Sequence, residues 1–209
     1  MIDAPLRRAL ARPLMGLARL IDVPWVSPDR LTIAGLAIGV ASAGLAAMQC
    51  WGAALAAWLL SRLFDGLDGT LARRRRARDP GLAASEAGGF LDITADFVVY
   101  GITVVGVAVG VAVGYAAPWW PFLLVLLAYY LNGATFLAFS SIAERTGRHM
   151  DDGRSLSFLG RLAEGTETIV VHSIWLILPA IAWQIAGVWA ALVAVSAVQR
   201  MVLGYRLLR

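Results

Sequence analysis

FVVYGITVVGVAVGVAVGYAAPWWPFLLVLLAYYLNGATFLAFSSIA, residues 97–143, runs without a single charged side chain. The hydrocarbon core of a bilayer is about 30 Å thick, which an α-helix crosses in about 20 apolar residues. The stretch is long enough for two crossings, with YAAPWWP at 115–121 as the turn between them. Working outward, residues 31–61 carry no charge either and turn at 49–52, and residues 168–199 carry only His172 and turn at 179–184. Six spans follow, at roughly 31–49, 52–72, 90–114, 119–143, 166–182 and 186–208. Composition agrees: of 209 residues, 59% are hydrophobic and 15% charged, against about 45–50% apolar and about 25% charged in soluble domains. A soluble chain of this size has no core large enough to hide that much apolar surface. The expected fold is an all-α integral membrane protein with six transmembrane helices.

Every one of the 18 basic residues is Arg. They gather in the N-terminal segment (Arg7, Arg8, Arg12, Arg19, Arg30), around the second-to-third connection (Arg62, Arg73, Arg74, Arg75, Arg76, Arg78), in the fourth-to-fifth connection (Arg145, Arg148, Arg154, Arg161) and near the C-terminus (Arg200, Arg206, Arg209). The short loops on the other side are uncharged. Basic loops stay cytoplasmic, so both termini and the two long connections are expected there. The net charge of +4 reads as topology and attraction to anionic headgroups. A nucleic-acid role is disfavoured, because no soluble basic domain exists to carry it. Leu6, Leu10, Leu14, Leu17 and Ile21 recur at spacings of three and four, with arginines between them. This predicts an amphipathic interfacial helix within residues 1–27, with Pro13 a break or restart, ahead of a six-helix domain at 28–209. No apolar run follows Arg7 and Arg8 to make a cleavable signal, and the single Cys50 supports no disulfide framework. The Arg bias and abundant Ala fit a bacterial cell (inner) membrane.

The chemistry lies where the apolar pattern breaks. The second span ends SRLFDGLDGTLARRRR and the third opens GGFLDITADFVVYG. Ionisable residues at a membrane helix are costly and usually face a protein cavity. Asp65 and Asp68 are three apart and Asp92 and Asp96 four apart, so each pair lies on one helix face. The two spans are consecutive and antiparallel, which puts both pairs at the same membrane edge. Four carboxylates without Lys nearby repel one another. Hard divalent cations, Mg²⁺ or Mn²⁺, relieve that repulsion through oxygen ligands, and a pair of ions suits in-line attack on phosphorus. An isolated Asp at a helix end is ordinarily solvated or a cap; four at these spacings, beside Gly69, Gly88 and Gly89, form a constellation.

Asp65-x-x-Asp68-Gly69-x-x-Ala72-Arg73 followed by Gly88-x-x-x-Asp92-x-x-x-Asp96 resembles the signature of the CDP-alcohol phosphatidyltransferases. The resemblance covers most of the chain from about Pro28 onward. One departure stands out: fourteen residues separate Arg73 from Gly88, more than the family's usual spacing, so the path of residues 74–84 is expected to differ. The resemblance implies that a CDP-linked lipid, typically CDP-diacylglycerol, is attacked by an alcohol with release of CMP. It implies a first metal on Asp65, Asp68 and Asp92, a second on Asp65, Asp92 and Asp96, and Asp96 as the base for the acceptor hydroxyl. Gly69, Arg73 and, with the altered spacing, Ser85 would contact the nucleotide and its diphosphate. Asp29 and Thr32 would help form the cytidine site, although Ser27-Pro28 also reads as a helix cap and start. A homodimer is implied as well.

The acceptor is less legible. A phosphorylated acceptor such as glycerol 3-phosphate needs arginines near Asp96, and Arg62, Arg145 and Arg161 are the candidates. Glu164 and Glu167 suit either a headgroup or a helix N-terminus. His149 and His172 read as packed or solvated, and Trp25, Trp51, Trp119, Trp120 and Trp183 as interface anchors. Gly101, Gly106, Gly110 and Gly114 allow close helix contact, between protomers or within one. Three other readings compete. A membrane prenyltransferase would show more spans and lack Asp-Gly-x-x-Ala-Arg, a transporter would place its acids near the midplane, and an inactive scaffold would not keep the full acid set.

Overall fold

Serine and proline decide where the helices begin. Ser27 caps α2 (Pro28–Ala47), its hydroxyl accepting from the Arg30 N–H at 3.2 Å with Pro28 in the first helical position, as such residues do at helix starts. Ser85 caps α4 (Glu86–Tyr115) in the same way, accepting from Gly88 N–H at 2.9 Å. The computed structural model describes residues 3–79, 81, 85–146 and 165–209, with side chains from residue 11 onward. Its other helices are α1 (Asp3–Leu20), α3 (Trp51–Arg78), α5 (Trp120–Arg145), α6 (Gly165–Ile177) and α7 (Ala182–Leu208), with a 3₁₀ turn at Pro179–Ile181.

Among the described residues, Pro28–Ala47, Glu86–Tyr115, Trp120–Arg145 and the run Pro179–Leu208 are long and apolar enough to cross a membrane. That is four where six were expected. The difference lies in α3, whose second half carries Arg62, Asp65, Asp68 and the arginine run, and in α6, which is 13 residues long. The outward faces carry broad apolar surface: Val105, Val109 and Val113 on α4, Leu123, Leu124 and Leu127 on α5, and Val188, Leu192 and Val195 on α7 are all exposed. Such a surface needs lipid around it.

Several boundaries move from their expected places. The last turn falls at Leu178 rather than spanning 179–184, because a residue before proline is pushed out of the helical region; Leu178 has φ −123° and ψ 59°. Pro13 does not break α1, which runs through it. Proline there forfeits one ladder hydrogen bond at an exposed position. Of the altered spacing after Arg73, residues 74–78 extend α3 to Arg78.

Helices in lipid gain little from apolar burial alone and rely on close packing. α2 lies against both α3 and α4, α5 against α7, and α6 against α3. Trp58, Val99, Val107, Phe122, Trp175 and Val193 fill the common core. Gly106 and Gly110 of α4 press on the backbone of Ala43 and Ala46, and Gly114 on Gln49, so these three glycines serve contacts inside the protomer; Gly101 faces open space. Ser42 donates to the Ala54 carbonyl at 2.8 Å and Ser61 to the Gly35 carbonyl at 2.7 Å, tying α2 to α3. α1 rests its Leu14 and Ala18 against Leu67 and Leu71 of α3.

Candidate active site

Three helices meet at one end of the bundle: the start of α2, the second half of α3 and the start of α4. They bring together the four acids that spacing singled out. Asp65 and Asp96 converge on one guanidinium, that of Arg62, while Asp68 and Asp92 stand near enough to Asp96 for their charges to act on one another. Asp68 is the most buried, at 4% exposure. Thr32 of α2 donates to its Oδ2 at 2.5 Å and the Gly69 N–H to its Oδ1. Thr32 is therefore a partner of an acid, a contact that its expected place beside a cytidine did not foresee.

Arg62 supplies the local positive charge. Its Nη1 donates to Asp96 Oδ1 at 2.6 Å and lies 3.7 Å from Asp65 Oδ1. Expected among the acceptor contacts, it is buried and paired with two acids. Arg145 is exposed at the end of α5; Arg161 and His149 lie outside the described residues. Arg73 folds back along α3, its Nη2 donating to Thr70 Oγ1 at 3.2 Å. Gly69 leaves the room for this, since a Cβ there would come within 3.2 Å of the guanidinium. Asp29 is exposed in the first turn of α2, and a Cβ on Gly88 would stand 3.1 Å from its Oδ1, so the two helix starts are neighbours. Ser85 accepts the hydrogen bond that caps α4 and remains exposed.

The donor set is all oxygen and strongly anionic, which suits Mg²⁺ or Mn²⁺. As the side chains stand, no group of three acids among the described residues closes into a ligand set. Arg62 engages Asp96 and Asp65, and Thr32 and Gly69 donate to the two oxygens of Asp68.

One feature escaped sequence reasoning. Asp22, between α1 and α2, is gripped by Arg74 Nε at 3.0 Å, Arg75 Nε at 3.0 Å and Arg78 Nη1 at 2.8 Å. The hydrogen bond from Arg75, then that from Arg74, hold its carboxyl below the usual range against the opposing effect of burial. The arginine run thus pins the α1–α2 connection to α3. His172 is fully buried, stacked 4.6 Å from Trp175 and 5.0 Å from Trp58 and hydrogen-bonded through Nε2 to the Tyr129 hydroxyl at 2.9 Å. It is a packed histidine.

The model of the CDP-alcohol phosphatidyltransferase family matches residues 25–199, and the chain belongs to that family. It is 37% identical over 216 residues to inner membrane protein YnjF of Escherichia coli (strain K12), covering 100% of this chain and 98% of that protein. Among solved structures, it is similar to the phosphatidylinositol phosphate synthase PgsA1 of Mycobacterium tuberculosis. The form with CDP-DAG bound has a TM-score of 0.70 at 22% identity, covering 93% of this chain and 94% of that one. The form in complex with manganese and citrate has a TM-score of 0.70 at 20% identity, covering 92% and 88%. At those identities the likeness concerns the fold. Family membership sets aside the prenyltransferase and transporter readings.

Proposed function

We propose that this protein transfers the phosphatidyl group of CDP-diacylglycerol to an alcohol, releasing CMP. The observation that carries the reading is the meeting of Asp65, Asp68, Asp92 and Asp96 at one end of the bundle, from two helices, in a chain of this family. Asp65, Asp68 and Asp92 would hold one divalent ion and Asp65, Asp92 and Asp96 a second. When bound, such ions neutralise diphosphate oxygens and the departing phosphate. In the transfer, the acceptor oxygen bonds to the phosphorus that carries diacylglycerol. The bond from that phosphorus to the bridging oxygen breaks, and CMP leaves with the electron pair. Asp96 takes the hydroxyl proton. Arg73 offers a fork of donors to phosphate oxygens, beside Gly69, while Asp29, Thr32 and Ser85 border the nucleotide. Phosphoryl transfer depends on such positioning and charge stabilisation more than on covalent help from protein.

The bundle would cross an inner membrane six times, α3 and α6 completing the set. The arginine-rich side, both termini and the site would face the cytoplasm, with α1 (within residues 1–27) along the headgroups and the transferase domain at 28–209. Acyl chains then stay in lipid while CDP and a water-soluble acceptor meet at the edge. The working unit is a homodimer. A phosphorylated acceptor such as glycerol 3-phosphate would be met by Arg145 and Arg161. The test is CMP release from CDP-diacylglycerol with glycerol 3-phosphate, serine, inositol phosphate, inositol or choline. One acceptor should raise CMP release well above the no-acceptor rate; no stimulation by any alcohol counts against the reading.

A further inference from the structure

Arg62 is held in place by groups other than the acids it touches. Its side chain is 6% exposed. The guanidinium carbon lies 5.0 Å from the centre of the Tyr100 ring and 5.3 Å from that of Trp58, within cation–π range. Nη2 donates to Ser61 Oγ at 3.1 Å, and that hydroxyl donates onward to the Gly35 carbonyl. Trp58 is itself fixed, its Nε1 donating to Ser173 Oγ at 3.1 Å and its ring stacked on His172. The remaining donor, Nε, is buried without a hydrogen-bond partner. α2, α3, α4 and α6 thus build a sleeve that presents one terminus of the guanidinium, Nη1, to Asp96 and Asp65.

Removing a guanidinium from water is costly unless an anion compensates. The compensating anions here are two of the carboxylates assigned above to divalent ions. One pair of carboxylates then faces two kinds of cation, and a charge fixed in the sleeve repels any ion that approaches them. We propose that Arg62 is a built-in counter-cation that competes with divalent ions for Asp65 and Asp96. It holds the acid cluster together before ions arrive and lowers the affinity with which they bind. Arg62 is thus a positioning residue, with Nη1 and Nη2 committed to protein partners and none to an acceptor. The inference rests on the reading that these acids bind divalent ions.

The experiment uses the full chain, purified in detergent and stripped with chelator. Mn²⁺ binding is read from the electron paramagnetic resonance of the free ion, and thermal unfolding is followed with and without Mn²⁺. Arg62→Gln should bind Mn²⁺ between about fivefold and a hundredfold more tightly than the wild type, the usual range of coupling between two ligands. Its stripped form should melt below the stripped wild type and gain more from added Mn²⁺. Arg62→Lys keeps the charge but loses the fork and the stacking, and should fall between the two. Equal or weaker Mn²⁺ binding by Arg62→Gln, or by Arg62→Lys where the stripped Gln variant does not stay folded, overturns the proposal. So does an unchanged Mn²⁺ affinity with a raised acceptor KM, the signature of an acceptor contact. A wild type that binds no Mn²⁺ overturns the metal reading itself, before any variant is compared.

Discussion

Gly39→Ala links the packing of the bundle to the placement of its acids. A Cβ on Gly39 would meet both methyls of Val99 at 2.7 Å and Ser61 Oγ at 2.9 Å. Carbon pairs rest at about 3.5–4.0 Å, so the clash amounts to about 1 Å. Neither neighbour has room to yield. Val99 is fully buried and branched at Cβ, hence stiff, while Ser61 is tied to Gly35 and Arg62. Replacing a helix-interior glycine returns about 0.5–1 kcal/mol, but overpacking costs about 1–3 kcal/mol. Overpacking wins, and a melting temperature lower by a few degrees is expected. The larger effect falls on turnover. α2 carries Thr32, the partner of Asp68, and Asp96 lies one turn from Val99, so separating α2 from α3 and α4 shifts the acids apart. Misplacement by about 1 Å costs on the order of 10²-fold in rate. Gly44→Ala and Gly101→Ala, where a Cβ meets nothing within 4 Å, serve as controls and should keep full activity. CMP release and thermal unfolding on the same detergent preparations decide the matter. Wild-type turnover and melting in Gly39→Ala would refute the idea that tight contact at this glycine sets the geometry of the site.

Asp65→Ala and Asp92→Ala remove carboxylates proposed to bridge both ions; Mn²⁺ titration of the purified variants should show weakened binding, with turnover abolished. Asp96→Asn keeps shape and one ligating oxygen but not the base, so CDP-lipid binding should survive while CMP release falls by about 10²–10⁴-fold; near-normal release would place the base elsewhere. Asp22 contributes stability through a depressed carboxyl, stabilisation that is present above its unfolded value of about 3.9 and lost as pH falls through the lower folded value. Asp22→Asn should therefore melt lower than wild type at neutral pH, with the gap closing in strong acid; a gap that is constant with pH would contradict the clamp.

What the sequence disclosed and what it hid have separate physical causes. Asp65 with Asp68, and Asp92 with Asp96, were legible because helical periodicity places residues three or four apart on one face, and a charge in an apolar run announces itself. Ser27-Pro28 was legible as a helix start for the same local reason. The partners of Asp22 were not, because Arg74, Arg75 and Arg78 are more than fifty residues away and resemble an ordinary topology marker. The glycines of α4 declared close contact but not with what: Ala43 and Ala46 became their partners only when α2 lay down beside them. Arg62 sits one turn before Asp65 and was visible as a charge near the site. Its engagement with Asp96 and the sleeve of Trp58 and Tyr100 depend on which helices pack there, which spacing alone does not encode.

Metal dependence of CMP release tests the central claim most directly. The purified chain is supplied with CDP-diacylglycerol and its acceptor, stripped with EDTA, then given excess Mg²⁺ or Mn²⁺, while CMP and the phosphodiester lipid are quantified together. Both products should appear in equal amounts, vanish on chelation and return with either ion. Full turnover in the metal-free preparation would contradict the account.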